Sequence, residues 1–128
     1  YGEDYDLLIR AAACGKVLVL QEPAVEVLWH KGGSYFSRRW EAMDAGIEYL
    51  TAKHPRLVTS RRTAGWLYGQ RAFAKAAGGH RRAAVATAAK SIRLDPRQPR
   101  GYLALGVASR LLRPQWVVDQ LNARGRGI

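Results

Sequence analysis

Near its start the chain carries three carboxylates within four residues, Glu3-Asp4-Tyr5-Asp6. Apolar positions follow at Leu7, Leu8, Ala11, Ala12 and Cys14, the three-and-four spacing of one helix face, with Gly15 after the last. The acids therefore open a predicted helix over residues 4–14. A carboxylate in a first helical turn is held ionised by the exposed N–H groups and the helix dipole, so it can accept a proton near neutral pH. The same three acids could equally serve only to cap the helix. A second group of chemically able residues is His30-Lys31-Gly32-Gly33-Ser34. A neutral imidazole is a reasonable ligand for a divalent ion beside carboxylates and phosphates. The plain alternative for His30 is an ordinary strand-end histidine. His54 and His80 show no comparable context.

The elements that must position these groups alternate at first. Residues 16–21 (KVLVLQ) are short and β-branched, Glu22-Pro23 interrupts them, and Val25, Leu28 and Trp29 form a second short apolar run. Two strands are expected there. From Tyr35 to about Lys53 the spacing is helical again through Trp40, Met43, Ile47 and Leu50, until His54-Pro55 stops it. Residues 1–57 thus read as one compact α/β unit.

Beyond Arg61 the pattern is of helical hairpins. One helix carries Trp66, Gln70, Phe73 and Ala77 and ends at Gly78-Gly79; a second carries Val85, Ala88, Ala89 and Ile92 and ends before Asp95-Pro96. The third, with Tyr102, Leu105, Ala108 and Leu112, is expected to reach Arg113, and Pro114 opens a fourth with Trp116, Val117 and Leu121. Trp66, Phe73, Val85, Ile92, Leu105 and Trp116 are the expected anchors of this half. The fold class read from the sequence is mainly α (α+β): a small two-stranded β element with flanking helices, then an all-helical hairpin region.

Charge divides at the same place. The 128 residues carry a formal net charge of +11. Residues 1–57 hold 7 basic and 8 acidic side chains, whereas residues 58–128 hold 14 basic and 2 acidic, Asp95 and Asp119. The basic half, with Arg81, Arg82, Lys90, Arg93, Arg97, Arg100, Arg110 and Arg113, suits an anionic lipid surface or another polyanion, or is a solvated face. Base-stacking motifs, zinc spacings and a recognition helix are missing, so nucleic acid ranks third. Cys14 is the single cysteine, which excludes an intramolecular disulfide and fits a reducing, cytoplasmic setting, to which the basic half adds an expected peripheral place at the membrane. No apolar run approaches the ~18 residues of a spanning helix.

Setting Pro96 on the closing proline of a tetratricopeptide unit puts Gly79 at the small turn position and Ala84 at the tight helix contact. Tyr102, Leu105 and Gly106 then fall on the next unit's signature. The region weakly resembles one and a half such repeats; an ordinary helical bundle would bury the same faces.

The order Glu3-Asp4-x-Asp6-Leu7-x-x-Arg10, a glycine turn, two expected strands and His30-x-x-x-Ser34 resembles the end of a family-2 glycosyltransferase catalytic domain of the GT-A type, over about residues 1–56. That resemblance implies an inverting, nucleotide-sugar-dependent transfer in which Asp4 takes the acceptor hydroxyl proton. Glu3 would orient acceptor or loop, and His30 would reach the divalent metal, Mn²⁺ or Mg²⁺, or with Lys31 and Ser34 the donor diphosphate. The implied partners are a nucleotide-sugar donor and a carbohydrate or lipid-linked acceptor. Tyr35-Phe36-Ser37-Arg38-Arg39-Trp40 ends in Arg-Trp like the Q-x-x-R-W motif of processive synthases, but Phe36 stands where Gln belongs, which favours a non-processive enzyme. The aspartate-rich metal motif and the nucleotide-binding half are expected upstream of Tyr1, so the 128 residues alone should be inactive and prone to self-association through residues 1–57. The rival reading is a non-enzymatic helical-repeat interaction module.

Overall fold

The computed structural model describes residues 2–25 and 40–123. They form six α-helices: α1 (Glu3–Cys14), α2 (Trp40–Lys53), α3 (Arg61–Ala77), α4 (Arg81–Leu94), α5 (Pro99–Ala108) and α6 (Pro114–Ala123), with a 3-10 turn at Pro55–Val58. Among the described residues no strand is present, which corrects the expected two-stranded β element. Residues 16–21 instead run without regular structure, with Leu18, Val19 and Leu20 exposed. The physical reason is pairing: β-branched side chains favour a strand only when a neighbour takes up the backbone N–H and C=O groups, and no described segment does so. The second expected strand falls almost wholly outside the described residues.

The helices begin and end where the local chemistry directs. Ser60 caps α3, its hydroxyl accepting from the Thr63 N–H at 3.4 Å, while Gly79 at φ +87° supplies the left-handed turn between α3 and α4. Pro99 and Pro114 open α5 and α6, where a missing N–H costs nothing. The third hairpin helix stops at Ala108 rather than reaching Arg113, because Arg110 adopts φ +66° and turns the chain out of the helix.

Two clusters make the core. Met43 and Ile47 of α2 meet Leu67 and Ala74 of α3. Phe73, Val107, Val117 and a set of alanines (Ala72, Ala76, Ala84, Ala88, Ala104, Ala108) unite α3 to α6. Alanine buries little area per residue, so this core depends on close helix approach and dense contact. A Cβ at Gly65 would lie 2.8 Å from Asp95 Cβ, and one at Gly101 2.8 Å from Ile92 Cγ1. The buried Ser91 hydroxyl donates to the Gly65 carbonyl at 2.6 Å and ties α4 to α3. This small-residue seam explains two corrections to the expected anchors. Val85 is 47 % and Trp116 52 % exposed, because Ala84 and Val117, one residue away on each helix, take the inward positions.

Across the expected 57/58 boundary, α2 and α3 are joined by charge as well as by core. Arg71 Nε donates to Asp44 Oδ1 at 2.6 Å and Lys75 bonds the other carboxylate oxygen. Burial pushes the Asp44 carboxyl up, but the bonds from Arg71 and Lys75 outweigh it and hold the group below its ordinary value. Among the described residues no helix is long and apolar enough to cross a membrane.

Candidate functional site

The acidic helix start is held against the rest of the molecule by its own flanking residues. Gly2 lies at φ +92°, and a Cβ there would come 2.8 Å from Leu50 Cδ1, so only glycine lets the chain approach α2 this closely. Four residues further the Asp6 N–H donates to the Gly2 carbonyl at 3.0 Å and starts the helix.

Asp6 anchors α1. Its carboxylate lies 2.7 Å from His54 Nε2, accepts from Lys53 Nζ at 3.0 Å and pairs with Arg10 Nε at 3.1 Å. The hydrogen bond with His54, then that from Lys53, holds its pKa down at about 2. Beside it Tyr5 meets the Trp66 ring edge-on at 6.4 Å. Otherwise α1 has no buried residue, and Leu7 and Leu8 are both exposed.

Glu3 and Asp4 occupy the first turn of this anchored helix, and both are exposed. Hydrogen bonding to its own backbone N–H holds the Glu3 carboxyl below its ordinary value. Two of the expected site residues therefore share one exposed helix start. His30, Lys31 and Ser34 lie outside the described residues. Among the described residues there is no group of three His, Cys, Asp or Glu side chains that could hold a metal; His30, the expected metal ligand, is not one of them.

His54, which has no local context in the sequence, engages Asp6 from 48 positions away. Its place just after α2 and before Pro55 was visible; its partner was not. Trp66 packs against the Met43, Ile47 and Leu67 cluster as expected, and it also meets Tyr5 of α1 and lines a basic groove. Arg61, Arg62, Trp66, Asp95, Arg97 and Arg100 line a groove of about 920 Å³ where the start of α3, the end of α4 and the start of α5 meet. The Arg100 guanidinium sits 5.7 Å from the Trp66 ring centre, and Arg61 donates to the last carbonyls of α4, Arg93 O at 3.0 Å and Leu94 O at 3.3 Å. With one acid among these side chains, the groove favours negative charge.

No family model matches the chain, and neither a curated protein nor a solved structure matches it.

Proposed function

We propose that the chain is the C-terminal part of an inverting, non-processive, nucleotide-sugar-dependent glycosyltransferase, with Asp4 as the base that removes the acceptor hydroxyl proton. The observation that carries this reading is the division of labour among the three acids. Asp6 is consumed in fixing α1 through His54, Lys53 and Arg10, while Asp4 stands exposed in the first turn of the helix so fixed. A base must be reachable and held in place, and the exposure of Asp4 on a helix anchored through Asp6 supports that role. Glu3, one position earlier, is kept ionised and suits a role in orienting the acceptor. The arginine groove, reached from α1 through the Tyr5–Trp66 contact, fits an acceptor that carries negative charge. Donor binding and any metal step are assigned to residues outside the described part, among them His30, Lys31 and Ser34.

The test is transfer by the full-length enzyme carrying Asp4→Asn. The reading expects sugar transfer to be abolished with donor binding within a few-fold of the parent, since the amide keeps the shape and loses the basicity.

A second reading, a helical-repeat interaction module without catalysis, is favoured by the seam of Gly65, Gly69, Ser91 and Gly101, which packs α3, α4 and α5 closely in the manner of stacked helical pairs. An Asp4→Asn enzyme with unchanged transfer would favour it.

A further inference from the structure

The turn between α5 and α6 does something unusual with its two leucines. Leu112 folds inward: its Cδ1 would stand 2.7 Å from a Cβ at Gly106, and its N–H donates to the Gly106 carbonyl at 3.0 Å. Leu111 is thereby turned outward and is 83 % exposed. The backbone enforces this, because Arg110 adopts φ +66°, a conformation that most side chains avoid. An αL residue just past a helix end is a common cap, and here it leaves Leu111 facing solvent at the tip of the turn.

The sequence neighbours of Leu111 are basic and aromatic. Arg110 and Arg113 flank it and are exposed, and Trp116 follows in the first turn of α6, half exposed. Arg81 Nε donates to the Ala108 carbonyl at 2.5 Å, which brings the Arg81-Arg82 start of α4 to the same end of the bundle. Among the described residues the acids near this end include Glu41, 3.8 Å from His80, and Asp119, which accepts from Gln115. Arginines that can reach phosphates, an indole suited to the headgroup level and a protruding leucine are the parts of an interfacial membrane contact.

We propose that the 110–116 turn is a membrane-docking tip, with Leu111 entering the acyl boundary of an anionic bilayer, Trp116 at the headgroup level, and Arg82, Arg110 and Arg113 on lipid phosphates. The proposal goes beyond the glycosyltransferase reading and does not depend on it. A second copy of the chain or a soluble polyanion would use only part of this set, since neither explains the pairing of an outward leucine with surrounding arginines.

The experiment is co-sedimentation of the 128-residue chain with phosphatidylcholine vesicles, with and without phosphatidylglycerol, across a salt series. Binding is expected only to the anionic vesicles and to weaken as salt rises. Leu111→Ser, which leaves the net charge unchanged, should lower partitioning about tenfold, and Arg113→Gln about fivefold at low salt, with circular dichroism unchanged for both. Leu111→Ser binding like the parent would overturn the proposal, because the interaction would then be electrostatic alone. So would equal binding to neutral vesicles, or an effect of Leu111→Ser confined to self-association seen by ultracentrifugation without lipid. Should Leu111→Ser unfold the turn, Arg110→Gly keeps the backbone shape and must still weaken binding.

Discussion

The carboxylate of Asp6 and the imidazole of His54 meet at 2.7 Å across 48 residues of sequence, and this contact, with Lys53 beside it, ties α1 to the end of α2. Because α1 buries no side chain of its own, that anchor contributes strongly to its position, together with Tyr5 against Trp66 and Gly2 against Leu50. Asp6→Asn should therefore leave the melting temperature of the α3–α5 core within ~2 °C while the α1 amides lose their protection from hydrogen exchange. Protection of α1 equal to the parent would show that another contact holds it.

The same contact sets an acid limit. Asp6 titrates at about 2 rather than near 3.8, so its contribution to docking is complete above the unfolded value and is lost as pH falls from about 4 toward 2. Asp44, also lowered by its bonds to Arg71 and Lys75, loses its contribution in the same direction. Far-ultraviolet circular dichroism and Tyr–Trp contact, followed by fluorescence below pH 5, should show acid loosening with no matching transition on the alkaline side of neutrality attributable to either group. Docking that strengthens as pH falls would reverse the sign.

Gly65→Ala probes the α3–α4 seam. The new methyl would meet Asp95 Cβ at 2.8 Å and Asp95 N at 3.3 Å, and overpacking of this kind costs about 1–3 kcal/mol, which exceeds the roughly 1 kcal/mol gain in helix propensity. Phe73→Ala, which empties the largest fully buried site, should cost about 3–5 kcal/mol. Urea midpoints measure both. A neutral Gly65→Ala would mean that the helices can separate at no cost.

Much of the helical half is legible in the sequence because its boundaries are chemical: Gly78-Gly79, Asp95-Pro96 and Pro114 each end or begin an element where expected. The helix over Leu7, Leu8 and Ala11 is likewise read from spacing alone. Three things are not legible. Residues 16–21 carry strand-forming side chains, but strand formation depends on a neighbour that local pattern cannot report. The core anchors are misread at Val85 and Trp116 because size is a poor guide where alanines such as Ala84 and Ala88 do the packing. At the candidate site the acids are visible as a row, whereas their division into an anchored Asp6 and an exposed Asp4 depends on His54, which no local spacing connects to α1.

The most direct measurement compares kcat and donor Kd for Asp4→Asn and Asp6→Asn in the full-length enzyme. Asp4→Asn should lower kcat by about 10²–10⁴-fold, the usual contribution of a positioned base, with donor Kd within a few-fold, and Asp6→Asn should lower it less, because it loosens the helix but leaves the base. Near-normal turnover by Asp4→Asn, or a larger loss from Asp6→Asn than from Asp4→Asn, would contradict the assignment of Asp4 as the base.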